Sequence, residues 1–469
     1  MTFALRRTDH TTAESEGFDR RLMTPMILSS VLNPVNSSII AVSLVPIGIA
    51  FGAPASETAW LVSALYLATA IGQPVVGRLI DIFGPRKLYL AGAALTGIAG
   101  VIGMIAPALW VLVIARIILG FGTCAGYPAA MYLIRSESER TGKDSPAGVL
   151  TALAVAGQTI VVIGPTLGGL LIHLGGWRAT FAVNIPLALA CLIIGWRRLP
   201  KTAVPQGPKT AGLDLPGIGL FAAMLITLLL FLMNPQVSHW YLPVVMIAAA
   251  AALVCRELHT EEPFLDVRLL GGNLPLLATY VRALLTSLVG YCFLYGFTQW
   301  LEQGRGLSAA GAGMILLPMS ITAIGVSALT GRRKEIRGKL LVGGAAQVLA
   351  AAVLLTMHSA VGLWLLLGAA LIMGIPQGLN SLANQNAVYY QADPARIGSS
   401  AGLLRTFIYL GAIGAAAASG TFLSRDTGAA GLHALAWFML AAAALFLLLA
   451  LVDRSLTRTG RTAEPKEAR

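Results

Sequence analysis

The chain has 469 residues, of which 56% are hydrophobic and 12% charged, and its mean hydropathy is +0.76. Because a soluble domain is about 25% charged, this composition excludes a protein that faces water on all sides and predicts an integral membrane protein. The net charge of +12 does not indicate a nucleic-acid partner, which would need a basic stripe with aromatic residues on a soluble face.

Apolar runs long enough to span a bilayer recur along the chain, since a hydrocarbon core of about 30 Å needs roughly 20 apolar residues per helix. The first run comes after a polar tail and is too long for a signal-peptide core. The runs cover residues 24–51, 58–80, 88–107, 109–134, 147–174, 179–196, 214–234, 240–255, 275–301, 309–330, 338–357, 361–388, 397–423 and 429–452. They predict an all-α integral membrane protein with about 14 transmembrane helices.

Lysine and arginine are distributed very unevenly among the predicted loops. An even number of spans places both tails on one side, and 27 of the 33 basic residues then fall on that side, against 3 on the other. Because cytoplasmic loops carry the excess of basic residues, we expect both termini to be cytoplasmic. The remaining three, Arg116, Arg282 and Arg405, lie within helices.

The runs group into two bundles of six helices with two additional helices between them. The predicted units are a tail at 1–23, an N-terminal bundle at 24–198, a cytoplasmic linker at 199–213, the two additional helices at 214–256, a cytoplasmic loop at 257–274, a C-terminal bundle at 275–452 and a tail at 453–469. No connection is long enough for a soluble domain, so the bundles must carry the function.

A short internal repeat supports the division into two halves. A glycine, an acidic residue and a glycine recur at spacings of 4 and 3 within Gly77–Lys87 and again within Gly331–Lys339. Each segment comes after the second helix of its half. Duplicated halves are a known construction in membrane transporters.

The segment Gly77–Lys87 resembles the GxLxDxxGRK signature of the major facilitator superfamily and departs from it mainly at Pro85. The resemblance implies a major facilitator fold. It also implies a gating loop in which glycines allow close helix approach, and the acid accepts hydrogen bonds at a helix N-terminus across the interface of the halves. The residues of this signature loop are Gly77, Asp81, Gly84, Arg86 and Lys87.

Further segments are similar to the fourteen-helix drug:proton antiporters of that superfamily. Arg116–Gly122 resembles the RxxQGxG pattern, and Trp177–Pro186 resembles the WRWxFxxNxP run. The GPxxGG antiporter signature, in which small residues allow a close, kinked helix contact, is matched by Gly157, Gly164, Pro165, Gly168 and Gly169. The resemblance implies multidrug efflux by alternating access.

One departure concerns proton coupling. Proton-coupled members carry an acid in the first helix, whereas Leu32–Ile40 contains none, and all 21 acidic residues lie in tails, loops or helix ends. A buried carboxylate is the usual proton relay in a membrane. The sequence therefore leaves use of a proton gradient open, and it indicates no cofactor and no metal site.

Polar side chains form stripes on three apolar helices, and one polar residue stands alone on a fourth. Polar residues in the membrane usually face the bundle interior, although they can also serve only to join neighbouring helices. Because transporter sites lie between repeats near the midplane, these residues are our candidates for a substrate cavity. They are Asn33, Asn36, Ser37, Gln158, Tyr291, Tyr295, Gln299, Gln377, Asn380 and Asn384.

The intramembrane arginines are costly because a guanidinium stays charged. Arg282 and Arg405 lie near enough to their helix ends to reach the surface, so Arg116 is the leading candidate for a coupling or gating role, with Arg405 second. With no carboxylate in mid-membrane, we hypothesise that substrates are neutral, zwitterionic or anionic amphipaths, with Arg116 or Arg405 as the counter-charge.

The function that these criteria favour is export of small amphipathic compounds across a bacterial inner membrane by a monomer that contacts only its substrate and the lipid bilayer. The alternatives are a dedicated exporter of a metabolite or lipid, and a facilitator without proton coupling. A membrane enzyme is disfavoured because the six histidines lie in tails, loops or helix ends. A channel would need charge rings or filter loops, and neither is visible.

Overall fold

Helices make up nearly all of the part of the chain that the computed structural model describes, namely residues 18–141, 146–201, 214–233, 236–260, 263–265, 267–307, 309–331, 333 and 335–457. Within these ranges, 15 helices have 15 residues or more. They are α1 (Met23–Phe51), α2 (Trp60–Phe83), α3 (Pro85–Ile105), α4 (Leu109–Thr123), α5 (Gly126–Thr141), α6 (Pro146–Ala182), α7 (Asn184–Arg198), α8 (Leu215–Met233), α9 (Tyr241–His259), α10 (Leu274–Cys292), α11 (Ala309–Thr330), α12 (Arg337–Leu354), α13 (Leu363–Gln391), α14 (Ile397–Arg425) and α15 (Ala429–Val452).

The number of membrane spans comes out lower than the predicted 14. In the described residues, 12 helices are long and apolar enough to cross a membrane, with α4 and α5 forming one of them, and α1 makes 13 if its two bent parts count as one span. The predicted span at 179–196 is divided at Val183, because α6 ends at Ala182 and α7, which begins at Asn184, has only 15 residues, about 22 Å of helix. A fourteenth span therefore stays a prediction.

The bend in α1 has a local cause. Its two parts, Arg20–Ile40 and Val42–Phe51, meet at an angle of 57°. Pro46 lies inside the second part and cannot donate to the carbonyl four residues before it, which is at Val42. The loss of this hydrogen bond places the bend immediately after Ile40.

Two groups of helices, α1–α7 and α10–α15, form the two halves, and α1 begins on the same face as α15 ends. Leu22, just before α1, belongs to a buried cluster that also contains Tyr280 of α10 and Ile397 of α14. Arg282 of α10 forms a 2.7 Å ion pair with Asp453, which comes directly after α15. We call this side of the protein the terminal face.

The two additional helices lie across the seam between the halves. Phe221 and Leu225 of α8 share a buried cluster with Ala70 and Ile71 of α2 and with Tyr409 of α14. The pair α8–α9 therefore covers the α2–α14 seam on the outside of the bundle. The predicted linker lies outside the described residues from 202 to 213, as do the tails at 1–17 and 458–469, and the domain boundaries stay predictions.

Candidate functional site

A cavity of about 280 Å³ lies between the two halves. Its walls come from α1, α2, α4, α5 and α6 of the first half and from α10, α11, α12, α13 and α14 of the second. Eight of the residues singled out from the sequence line it, namely Asn33, Ser37, Gly157, Gln158, Tyr291, Gln377, Asn384 and Arg405. The polar stripes of both halves thus face a common space.

Hydrogen bonds connect these stripes across the interface. Tyr409 of α14 donates to Asn33 Oδ1 of α1 at 3.0 Å, and Gln377 of α13 donates to Gln158 of α6 at 3.3 Å. Asn33 also donates to Thr123 within its own half, at 3.0 Å. The cavity is therefore bounded by polar contacts that a rearrangement of the two halves would have to break.

Two asparagines predicted to line the cavity do not. Asn36 is buried and exchanges hydrogen bonds of 2.7 and 2.9 Å with Asn184 of α7. Asn380 is fully buried and donates to Thr286 at 3.0 Å and to Gln347 at 3.4 Å. The polar residues of each stripe cover a wider part of the helix surface than the part that faces the cavity. Asn36 and Asn380 therefore pack against neighbouring helices instead.

Tyr295 and Gln299 also lie outside the cavity lining, for a different reason. Beyond Cys292 the chain continues as π-helical turns, Phe293–Phe297 and Trp300–Gly304. A π turn takes in more residues than an α turn and rotates the next part of the helix, so the spacing that begins at Tyr291 no longer marks one face. Gln299 instead donates to Gln303 at 3.2 Å, whereas the ring of Tyr295 lies tilted against that of Tyr291, with centroids 5.5 Å apart.

Sequence reasoning missed nearly two thirds of the polar residues that line the cavity. The additional polar side chains are Ser29, Ser30, Tyr66, Gln73, Thr123, Tyr127, Thr286, Ser287, Gln347, Ser381, Gln385 and Tyr409. A weak signal exists for some of them, because Tyr66 and Gln73 are two helical turns apart on α2, and Ser381 and Gln385 are one turn apart on α13.

Arg116 does not line the cavity, contrary to expectation. Its guanidinium is buried inside the first half, where Nε donates to the carbonyl of Leu61 at 2.9 Å and a terminal nitrogen donates to the carbonyl of Asn36 at 3.3 Å. Depth in the membrane is readable from the sequence, but the direction of the side chain is not. Arg116 joins α4 to α1 and α2, so it is not available as a counter-charge for substrate.

Arg405 is the arginine that lines the cavity. Its guanidinium carbon lies 4.1 Å from the ring centroid of Tyr127, and its Nε has no hydrogen-bond partner among the described residues. No aspartate or glutamate is among the described residues that line this space. The lining charge is therefore positive.

Arg282, the third intramembrane arginine, is neutralised near the terminal face. It is fully buried and pairs with Asp453. Burial raises the pKa of Asp453, but hydrogen bonds from Ser455 and Arg282 outweigh this and hold the pKa below its ordinary value. Both partners are consequently ionised at neutral pH, and the pair tethers the end of α15 to α10.

The signature loop joins the two halves at the terminal face. Asp81, near the end of α2, is buried and accepts hydrogen bonds from the backbone N–H groups of Gly398 and Ser399, both at 2.8 Å, and from the Ser399 hydroxyl. Gly398 and Ser399 are in the first turn of α14, whose free N–H groups and positive dipole end favour an anion. We call this contact the latch.

The other residues of the signature loop shape and surround the latch. A Cβ atom on Gly77 would lie 2.3 Å from the Gly398 carbonyl oxygen, so this position tolerates only glycine. Gly84 has φ of 85° and turns the chain into α3, where Pro85 occupies the first helical position, as prolines commonly do. Arg86 donates to the Trp196 carbonyl at 2.9 Å and Lys87 is exposed.

The segment that resembles the antiporter signature forms the contact between α6 and α1. A Cβ atom on Gly164 would lie 1.8 Å from Ser38 Oγ, and one on Gly168 would lie 2.7 Å from a methyl group of Val42. Gly169 has no neighbour within 4 Å of that position, and Gly157 faces the cavity. Pro165 lies within the helix between the packing glycines.

Comparison with known proteins places this architecture in a family. The model of the Major Facilitator Superfamily matches residues 26–416. The "Uncharacterized MFS-type transporter YwoD" of Bacillus subtilis is 33% identical over 93% of this chain and 97% of its own length. The "Methyl viologen resistance protein SmvA" of Salmonella typhimurium is 26% identical over 87% of this chain and 84% of its own length.

Solved structures agree on the fold. The human organic anion transporter MFSD10 superposes with a TM-score of 0.65 at 15% identity, over 92% of this chain and 99% of its own. At that identity the likeness is one of fold alone. With two helical halves, a polar cavity between them and a family model matched over most of its length, the chain is a multi-pass secondary transporter that belongs to the Major Facilitator Superfamily.

Proposed function

We propose that this transporter exports small amphipathic compounds from a bacterial cytoplasm by alternating access of the cavity between its halves. The observation that carries the proposal is the pairing of an interfacial cavity with a latch that joins the halves at the terminal face. Breaking the Asp81 contact with Gly398 and Ser399 would let α2 and α14 separate at the terminal face. The cavity would then open to that side.

The chemistry of the cavity wall fits an amphipathic substrate. Amide, hydroxyl and phenol groups alternate with aliphatic side chains such as Leu153, Val161, Leu294, Met319 and Met373. Methionine and aliphatic walls accept varied apolar shapes, and a few polar groups orient the ligand. Relatives named for drug resistance support export, and we place the chain in the fourteen-helix efflux branch on its sequence motifs.

Proton coupling is the open part of this mechanism. A cavity carboxylate would serve as a relay, and none is among the described lining residues. One alternative is a facilitator without proton coupling. The other is an exporter dedicated to one metabolite or lipid. A narrow substrate range in a vesicle transport assay would favour the dedicated exporter.

The direct test measures dye transport into inside-out membrane vesicles that contain the protein. We expect uptake of amphipathic dyes above the level of vesicles without the protein. Collapse of the proton gradient with a protonophore distinguishes the mechanisms, because a coupled antiporter loses uptake and a facilitator retains it. Absence of uptake for every dye, with the protein folded in the membrane, would contradict the proposed function.

We also expect the terminal face to be cytoplasmic, because 27 of the 33 basic residues lie on the side of the tails. A reporter enzyme that is active only outside the cytoplasm, fused after Arg469, should be inactive. The same reporter inserted between Asp426 and Thr427, in the short connection between α14 and α15, should be active. The reverse pattern would overturn the assigned orientation and the direction of export together.

A further inference from the structure

We propose that Arg405 and the tyrosines around it form a binding subsite for organic anions with an aromatic or conjugated body. The inference rests on the proposed function and names the substrate class for the same cavity. Its basis is the Arg405 guanidinium, which has no carboxylate partner among the described residues, in a wall of phenol rings and of polar groups without described partners.

Among the described residues that line the cavity, Arg405 is the one with a charged side chain. Tyr127 lies beneath its guanidinium at 4.1 Å, and Tyr291 and Tyr409 line the same cavity. The other two intramembrane arginines are engaged elsewhere, Arg282 with Asp453 and Arg116 with backbone carbonyls. A cation entering the cavity meets a like charge, whereas an anion meets a partner whose planar fork suits carboxylate and sulfonate groups.

Several buried polar atoms of the cavity lack protein partners among the described residues. They are the hydroxyl of Tyr127, the side-chain oxygen of Gln73 and both amide atoms of Asn384, in side chains that are only 2–4% exposed. Leaving such groups unpaired costs free energy, so a ligand or water must complete them. The Tyr127 hydroxyl and the Asn384 amide nitrogen are donors, as an anionic group requires.

The tyrosine rings that line the cavity indicate the shape of the uncharged part of the substrate. Tyr66 and Tyr409 have centroids 5.7 Å apart, and both line the cavity along with Tyr127 and Tyr291. Tyrosines from both halves therefore bound the space, and flat aromatic groups pack well against such rings.

An anionic substrate also makes the absence of a lining carboxylate intelligible. The bacterial cytoplasm is electrically negative, so a monoanion moves outward down the membrane potential. At equilibrium, each 100 mV of potential holds the concentration of a monoanion outside the cell at about fifty times its concentration inside. Export of an anion thus needs no proton relay in the cavity.

The test compares three probes of one shape and different charge: naphthalene-2-sulfonate, 2-naphthyl methyl sulfone and 2-naphthyltrimethylammonium. Binding to the purified protein in detergent is measured by equilibrium dialysis. We expect the sulfonate to bind at least about tenfold more tightly than the other two, because hydrogen bonds to charged groups contribute a factor of about ten to a hundred. Equal binding of the three probes would overturn the proposal.

Variants locate the effect. Arg405→Gln should weaken sulfonate binding about tenfold to a hundredfold, and Arg405→Lys, which keeps the charge but not the planar fork, should weaken it less. Tyr127→Phe keeps the ring and removes one donor, and a loss of a few fold is expected. The control Arg178→Gln removes an exposed arginine that stacks on Trp177 outside the cavity and should leave binding unchanged.

Proteoliposomes separate this inference from the proposed function. With a potassium diffusion potential that is negative inside, efflux of preloaded sulfonate should become faster. With a potential that is positive inside, the same efflux should become slower. Transport of the sulfone and the ammonium probe without the sulfonate would overturn the anion subsite and leave export standing. Arg405-dependent sulfonate binding without transport of any probe would keep the subsite and overturn the proposed export.

Discussion

Replacing Gly77 with valine is expected to abolish transport while leaving the protein in the membrane. A Cβ atom at this position would lie 2.3 Å from the Gly398 carbonyl oxygen and 2.8 Å from its carbonyl carbon, both of which are backbone atoms. The clash can be relieved only if the start of α14 moves away from α2. The halves would then fail to close at the terminal face, and the alternation of access would stop.

Asp81→Asn should also impair transport, but less severely, because it weakens the latch without a steric clash. The carboxylate accepts hydrogen bonds from two backbone N–H groups and one hydroxyl, and an amide keeps only one oxygen to receive them. Loss of such hydrogen bonds costs about 1–3 kcal/mol, which shifts a two-state equilibrium by roughly 5- to 150-fold. We expect slowed transport at an unchanged abundance of the protein in the membrane.

The matched control is Glu335→Gln. Glu335 occupies the position equivalent to Asp81 in the second copy of the repeat, but its side chain is exposed. The substitution makes the same change of chemistry without touching the latch, so transport should be unchanged. If Gly77→Val and Asp81→Asn transport normally at equal abundance in the membrane, the latch does not govern the closing of the halves.

The latch illustrates what sequence can and cannot predict. The spacing of Gly77, Asp81 and Gly84 is local, and its resemblance to a known signature predicts an acid that caps a helix N-terminus across the interface. That hydrogen bonding is present in the structure. The sequence does not predict which residue Asp81 contacts, because Gly398 is 317 residues away and no pattern in the chain links the two positions.

The cavity shows the same division. Helical periodicity places Asn33, Tyr291, Gln377 and Asn384 on inward faces, and all four line the cavity. Periodicity assumes an unbroken α-helix, and it fails beyond Cys292 where π turns change the spacing. Hydropathy predicts a full span at 179–196 because it does not register the interruption of the helix between Ala182 and Asn184.

Gly164→Ala should lower thermal stability more than any other glycine-to-alanine change in the segment that resembles the antiporter signature. The added Cβ would lie 1.8 Å from Ser38 Oγ and 2.5 Å from Ser38 Cβ, so rotating the serine hydroxyl cannot relieve the overlap. The helices α1 and α6 would have to separate. Overpacking of this kind typically costs about 1–3 kcal/mol.

The control lies on the same helix. Gly169→Ala adds the same methyl group where nothing lies within 4 Å, so the unfolding midpoint of the purified protein in detergent should not fall. Midpoints from tryptophan fluorescence on heating would compare the two variants.

A compensating change makes the prediction sharper. Ser38→Gly removes both atoms that the new methyl group would overlap, so the double variant Ser38→Gly, Gly164→Ala should recover most of the stability lost in Gly164→Ala. Ser38→Ala removes only Oγ and leaves Cβ at 2.5 Å, so it should rescue much less. Equal midpoints for Gly164→Ala and Gly169→Ala, or a double variant in which the two effects simply add, would show that the glycine segment does not pack against α1 as described.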